Sequence, residues 1–237
     1  MSLEVGYWSI RGLAAPLRMM CEYAAVDYNP KTYELQAQEG GGWDASAWFG
    51  VKPALVERNA LMNLPYVIDG DVVVSQTNAC FAYLGRKLGL YGANDLETLK
   101  CEQVLCEVMD LRNNAVKFFY SSGDDLAARV EAHAKSAATS FGKLETWLRQ
   151  QSTPFFAGAT PTAADFHAFE MIDQHLVTEV LVVPGADNEF PLLAAFHTRF
   201  RALPQLQGYF DGPLSKLPLN NKMACIGATG NPLAHKE

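Results

Sequence analysis

The sequence predicts an α/β domain followed by an all-helical one. Short β-branched runs alternate with apolar stripes at helical spacing as far as Lys87, and strand signals nearly vanish from Asp95 onward. Between them lies a Gly-punctuated connector, Leu88-Gly-Leu-Tyr-Gly92-Ala-Asn. At 237 residues the chain can hold two domains of ordinary size with an ample core. The expected division is residues 1–88, a linker 89–97, and a helical domain 98–237 ending in an irregular tail.

Leu3–Trp8 reads as the opening strand. Ser9–Pro16 leads into a helix whose first turn tolerates Pro16, with Leu13, Leu17, Met20, Cys21 and Ala24 on one buried stripe. Asp27–Pro30 breaks that helix, and Lys31–Leu35 is expected as a second strand, parallel to the first through a right-handed crossover. Gly40-Gly41-Gly42 marks a loop, followed by Trp43, Trp48 and Lys52 among weak signals. Tyr66–Ile68 and Val72–Val74 then form a hairpin about Asp69-Gly70, where glycine accepts a positive φ. Leu64-Pro65 just before it is an X-Pro bond placed where a cis peptide fits. Ser75-Gln76-Thr77-Asn78 opens a helix carrying Cys80, Tyr83, Leu84 and Leu88. Its polar side chains are expected to cap the helix and leave backbone N–H groups for an anion. This β-α-β-α-β-β-α order is thioredoxin-like.

In the second half, Leu99, Val104, Leu105, Val108, Leu111 and Ala115 mark one long amphipathic helix. Leu126, Val130, Ala134, Ala137, Phe141, Leu144 and Leu148 mark another. Thr162-x-x-Asp165 has capping-box spacing before a helix that is apolar nearly all round, and Phe190–Leu203 is a fourth helix closed by Pro204.

Composition narrows the function classes. The chain is 49% hydrophobic and 19% charged, with no apolar run near membrane-spanning length and no secretory leader pattern in its first residues. A formal charge of −7 without a basic tract argues against nucleic acid. Five cysteines without CxxC spacing suggest neither a disulfide framework nor a zinc site. Cys101 and Cys106 read as core or partly buried thiols, and the reducing cytoplasm is the expected location. The five histidines are scattered, so no metal is assigned.

The motifs Gly6-Tyr7-Trp8-Ser-Ile-Arg11-Gly12-Leu13-Ala14, Trp48 with Lys52, Asn63-Leu64-Pro65-Tyr66-Val-Ile-Asp-Gly70 and Ser75-Gln76-Thr77-Asn78-Ala79 resemble a glutathione transferase, most closely the mu class. Phe156-Ala-Gly158 with Thr162-x-x-Asp165-Phe166 fits the same family. The resemblance implies conjugation of the glutathione thiolate to hydrophobic electrophiles, with glutathione as co-substrate, no further cofactor, and a cytoplasmic homodimer. It implies that Tyr7 aims its hydroxyl at the sulfur, with Ser9 as the competitor for that role. It further implies that Leu64, beside Pro65, pairs the cysteinyl backbone while Gln76 and Thr77 hold the γ-glutamyl carboxylate. Trp48 and Lys52 would meet the glycyl end, and Asn63 would hold the loop or reach that end. Trp8 and Leu13 would flank the thiol. On the first helix of the second domain, Asp110 would reach glutathione in the neighbouring subunit, and Tyr120 would line the electrophile pocket as a donor. Taken singly, Trp48, Trp8 and Leu13 are ordinary packing residues, Lys52 and Asp110 surface charges, and Tyr120 a core aromatic.

Three positions depart from the mu pattern. Ala45 replaces an arginine, leaving the glycyl carboxylate to Lys52 and predicting weaker glutathione binding. The loop between Trp48 and Asn63 is slightly longer. Leu61 stands where an aromatic key would plug the partner subunit. Two other readings stay open: a non-catalytic carrier, and a glutathione-dependent isomerase or peroxidase. A thiol–disulfide oxidoreductase is disfavoured, because no cysteine stands at the start of the first helix.

Overall fold

A computed structural model describes residues 3–121, 125–178 and 189–228. The expected Gly230 and Pro232 of the tail, and most of the Ser121–Asp124 break, lie outside the described residues. The opening strand β1 (Leu3–Trp8) occupies the middle of the sheet. On one side it takes β2 (Tyr28–Asn29) and β3 (Thr32–Tyr33) in parallel, with Leu3 opposite Tyr28 and Tyr7 opposite Thr32. On the other side it takes β6 (Tyr66–Asp69) antiparallel, with Val5 opposite Val67, and β7 (Val72–Ser75) pairs with β6 at the outer edge. Helix α1 (Ala14–Tyr23) forms the crossover between β1 and β2.

The strand expected over Lys31–Leu35 instead starts earlier and is split in two. Pro30 has no N–H to donate, so the ladder is interrupted there and resumes at Thr32. The Gly40–Gly42 stretch closes a small hairpin between β4 (Gln36–Ala37) and β5 (Trp43–Asp44), which the flat local signal had hidden. The tight turn of the main hairpin is Gly70-Asp71, one residue later than Asp69-Gly70. Asp69 pairs with Val72, and Gly70 takes φ +61°. Two short helices, α2 (Ser46–Phe49) and α3 (Lys52–Val56), fill the weak-signal stretch. Helix α4 (Thr77–Lys87) completes this half.

The helical half begins with α5 (Asp95–Phe119), which starts inside the stretch expected as linker because Asn94 caps it, accepting from the Glu97 N–H. Its buried stripe is Cys101, Val104, Leu105, Val108, Leu111 and Ala115. Leu99 is not part of it. That side chain is 52% exposed, because it stands two residues, about 200° of rotation, from Cys101. Cys106 is likewise exposed, while all five cysteines are free thiols. Helices α6 (Leu126–Gln151), α7 (Ala163–Val177), α8 (Pro191–Arg201) and the short α9 (Gln207–Asp211) complete the bundle.

Helix α7 is buried from Ala163 through His175. The Thr162–Asp165 capping box opens it, and the Asp165 carboxylate also accepts from the Phe156 N–H at 2.8 Å, bracing the preceding loop. One continuous apolar core joins the two halves, running from Val5 and Leu17 through Phe81 to Phe166 and Phe200. Among the described residues no helix is long and apolar enough to cross a membrane.

The two halves are also joined by charge. The Arg11 guanidinium forks onto Glu170 (Nε–Oε1 3.0 Å, Nη2–Oε2 2.9 Å) and reaches Asp173 Oδ2 at 2.6 Å. Burial pushes the Asp173 carboxyl up, but hydrogen bonds from His197 and the Arg11 charge outweigh it and hold it well below the usual carboxylate range.

Candidate functional site

The loop after β1 places Tyr7, and four interactions fix that loop. The Arg18 side chain, wholly buried on α1, donates to the Ile10 carbonyl at 2.9 Å and lies 3.4 Å from that of Trp8. The Arg11 and Gly12 N–H groups donate to the carbonyls of Pro218 and Leu219 in the C-terminal tail, at 2.8 and 3.1 Å. Gly12 has φ +40°, and a Cβ there would lie 2.7 Å from Tyr7 Cε1. Glycine is therefore what lets the Tyr7 ring pass beneath the loop. The Tyr7 residue is 5% exposed, and its hydroxyl has no hydrogen-bond partner among the described residues.

That hydroxyl borders a cavity of about 370 Å³ between the two halves. Tyr7, Trp8, Ile10 and Gly12 supply one wall, and Leu35, Ala45 and Phe49 a second. Arg112, Val116 and Tyr120, one helical turn apart, line it from α5, and Asn220, Asn221 and Met223 close it from the tail. The tail is pinned there: the Asn221 N–H donates to the Tyr120 hydroxyl at 2.8 Å and the Cys225 N–H to the Phe119 carbonyl at 2.8 Å. The Tyr120 oxygen thus accepts from the tail while its proton stays available to donate. Burial pushes this phenol up to about 12, so it is protonated at neutral pH.

A second set of groups lies around the hairpin. The Leu64-Pro65 peptide is cis, and the Leu64 backbone makes no hydrogen bond to another described residue. Ser75 Oγ clamps the adjoining loop, accepting from the Asn63 N–H at 2.9 Å and donating to its carbonyl at 3.1 Å. Gln76 is exposed and holds φ +73°, ψ +124°, a conformation uncommon for a side-chain-bearing residue and a mark of functional sites. The expected side-chain cap is not made. Gln76 stands at the cap position without a capping bond, which leaves the first N–H groups of α4, those of Thr77 and Asn78, without a hydrogen-bond partner among the described residues.

The remaining predicted residues divide. Trp48 is 1% exposed, stacked on Tyr66 (centroids 6.1 Å apart) and edge-on to Tyr33 (5.2 Å), so most of its ring is packing. Lys52 Nζ lies over the Trp48 and Phe49 rings at 5.8 and 5.9 Å and has no acidic partner among the described residues. Leu13 supports Tyr7 in a small apolar cluster with Ile10 and Ala14, against which Trp8 and Leu64 pack. Asp110 is not brought to this cavity: it is exposed on another face of α5, in a polar groove with Asn113, Lys117 and Lys143.

Arg18, Phe49, Arg112, Val116, Asn220, Asn221 and Met223 escaped sequence reasoning. Of these only Arg112 and Val116 carried a signal, their four-residue spacing to the predicted Tyr120 along a predicted helix. Ile10 and Gly12 stood inside a quoted motif without an assigned role.

Two family models match the chain: the glutathione S-transferase N-terminal domain over residues 3–86 and the C-terminal domain over residues 109–212. Among curated relatives, the chain is 33% identical over 232 residues to glutathione S-transferase Mu 3 of Macaca fuscata fuscata, covering 95% of this chain and 96% of that one. It is 36% identical over 220 residues to a glutathione S-transferase of Tyrophagus putrescentiae, covering 90% and 94%. Among solved structures, the glutathione S-transferase Blo t 8 superposes with a TM-score of 0.81 at 23% identity, over 94% of this chain and 99% of that one. The Pi-class glutathione S-transferase of Onchocerca volvulus gives 0.73 at 26% identity, over 94% and 100%.

Proposed function

The chain belongs to the glutathione S-transferase family, and from that premise we propose that it conjugates the glutathione thiolate to hydrophobic electrophiles, with Tyr7 stabilising the thiolate. The observation that carries this reading is the unpartnered Tyr7 hydroxyl at the edge of a largely apolar cavity, beside a hairpin loop with open backbone groups.

The chemistry follows from the groups present. A free thiol with a reference pKa of about 8.5 is mostly protonated at neutral pH, and lowering it by about two units takes roughly 2.7 kcal/mol of preferential thiolate stabilisation. A phenolic O–H held against the sulfur in a dry setting supplies a donor for that charge. The thiolate forms a bond to an electrophilic carbon, and either a leaving group departs with its electron pair or an enone oxygen takes up the negative charge. Tyr120, protonated and with its hydrogen free, can donate to such an oxygen. Open Leu64 backbone groups suit pairing with the cysteinyl unit, and the start of α4 suits the γ-glutamyl carboxylate. Lys52 suits the glycyl carboxylate, since Ala45 brings no charge.

The exposed Asp110, remote from this cavity within its own chain, fits a role toward glutathione in a second copy of the chain, as a homodimer requires. Leu61, 70% exposed, fits an apolar key between the copies. Five free thiols fit a cytoplasmic location.

The test is a pH–rate profile of conjugation for wild type and Tyr7→Phe. The expected outcome is a lower rate at neutral pH and a thiol pKa raised toward the free value in the variant. Equal profiles for the two proteins would end the Tyr7 assignment, and glutathione binding without conjugation of any aryl halide, epoxide or enone would leave a carrier in place of an enzyme.

A further inference from the structure

Arg112 is a cation with no acidic side chain to neutralise it among the described residues. Arg11, Arg86, Arg149 and Arg201 each stand within 4.0 Å of an acidic side chain. Arg112, like Arg18, Arg58 and Arg199, has no acidic partner among the described residues, but those three donate to backbone carbonyls. Its side-chain hydrogen bond goes to the neighbouring Asn113 Oδ1 at 3.3 Å. It is half-buried in the wall of the Tyr7 cavity, and no aspartate or glutamate lines that cavity. In a chain of net charge −7, Arg112 is the charged side chain among lining residues whose other polar members, Tyr7, Tyr120, Asn220 and Asn221 among them, are uncharged. A partly desolvated guanidinium without a counter-ion favours an anionic ligand group, best a carboxylate that can take its two-pronged hydrogen bonds.

The two carboxylates of glutathione have other partners on the reading above, at the start of α4 and at Lys52. The electrophile is the remaining ligand. Arg112, on α5, and Tyr120, at its C-terminal cap, lie two turns apart, about 12 Å along the axis, with Val116 between them. That length suits an aromatic or alkenyl body whose reacting carbon faces the sulfur at one end.

We propose that Arg112 makes this cavity select electrophiles that carry a carboxylate remote from the reacting carbon. The proposal rests on the conjugation reading and names the substrate class of that same site. In the simplest case the sulfur–carbon bond of an aryl thioether forms, and chloride leaves with the electron pair of the broken carbon–chlorine bond. The carboxylate takes no part in bond making.

The experiment compares a chloronitrobenzoate with its methyl ester, at saturating glutathione, for the full chain, Arg112→Gln and Arg112→Lys. Each protein's ratio of kcat/KM for acid over ester is read, so intrinsic reactivity and any loss of folded protein cancel. The expected result is a fall of about tenfold in that ratio for Arg112→Gln, with partial recovery in Arg112→Lys and a wild-type preference that weakens with added salt. A ratio that stays within about twofold of wild type, while the ester is still conjugated, overturns the proposal. A rise in the KM for glutathione without a change in the ratio overturns it too, placing Arg112 on the glycyl carboxylate. If wild type conjugates other aryl halides, epoxides or enones but neither of these compounds, this proposal falls alone, and if it conjugates no electrophile at all the underlying reading falls with it.

Discussion

Replacing Arg11 with alanine should destabilise the protein by an amount that depends on pH in a particular way. In the native protein the guanidinium meets Glu170 at 2.9 and 3.0 Å and Asp173 at 2.6 Å, and the Glu170 side chain is 1% exposed. Asp173 keeps His197 at 3.0 Å and Arg201 at 3.7 Å when Arg11 is gone, whereas Glu170 keeps only the Gln174 amide at 2.7 Å. Breaking a buried pair in this way generally costs about 3–5 kcal/mol. The charge part of that cost has a ceiling, because Glu170 can take up a proton instead. Burial already pushes its carboxyl upward. Protonating a carboxyl of reference pKa about 4.3 at pH 7 costs roughly 3.7 kcal/mol, and that cost falls by about 1.4 kcal/mol for each unit of acidification. The expected loss is therefore about 3–4 kcal/mol at pH 7, shrinking steeply between pH 7 and pH 5. For a chain of this length this corresponds to a Tm lowered by roughly 7–15 °C at pH 7. Groups outside the Arg11–Glu170–Asp173–His197 cluster that titrate in this window are common to both proteins and cancel in the difference, and His197→Gln in both backgrounds removes the imidazole on Asp173. Urea unfolding followed by tryptophan fluorescence at pH 7, 6 and 5 measures it. Making the same change in a Glu170→Gln background should shrink the loss and remove its pH dependence. A loss below about 1 kcal/mol, or one that stays constant with pH, would mean that water already screens the cluster.

Three further outcomes follow from other parts of the molecule. Gly12→Ala places a methyl group 2.7 Å from the Tyr7 ring at φ +40°, so it should lower kcat and raise the thiol pKa together, with a stability loss of about 1–3 kcal/mol. Unchanged conjugation kinetics in that variant would show that the ring position is not critical. His133 and His175, whose Nε2 atoms are 3.1 Å apart in an aromatic cluster, are both held down to about 4 by burial, below their unfolded value of about 6.5. Their contribution is fully present above pH 6.5 and is lost as pH falls toward 4, so unfolding free energy should drop on acidification by up to about 1.4 kcal/mol per pH unit for each ring; a flat profile from pH 7 to 5 would contradict their buried neutral state. His167 is 1% exposed with both ring nitrogens unpartnered and its ring stacked on Phe81, so His167→Phe should raise the Tm, and a lowered Tm would point to a polar partner such as a buried water.

The parts of this molecule that could be read from sequence are those whose cause is local. The hairpin and the capping box at Thr162 each depend on residues within a few positions of one another, whereas α1, expected to bury one stripe, is buried on every side from Ala14 to Cys21. Even there, local cues slipped by small amounts. Pro30 split a strand that alternation alone made continuous, and Leu99 fell off its helix stripe because a list of apolar residues did not keep strict phase. The thiol half of the candidate site is local in the same sense, built from one loop, one hairpin and one helix start. The strained φ of Gln76 left no trace in residue type, but its neighbourhood did.

The electrophile half is different in kind. The Asn221 N–H bonds a tyrosine hydroxyl 101 positions away, and Arg11 bonds a carboxylate 159 positions away. Periodicity has nothing to say about pairs at that distance. Arg18 shows the same limit, since a buried guanidinium serving two carbonyls looks in sequence like a surface arginine on an amphipathic helix. The consequence is functional. On the proposed reading, a chain can keep the local motifs that would hold a tripeptide thiol while the residues that would decide what that thiol attacks change freely, because those residues are tied together only by the fold. Arg112 belongs to that second group. The role proposed for it depends on there being no acid among the described residues that line a cavity whose walls come from four separate stretches of chain, and that is visible only once the stretches are folded together.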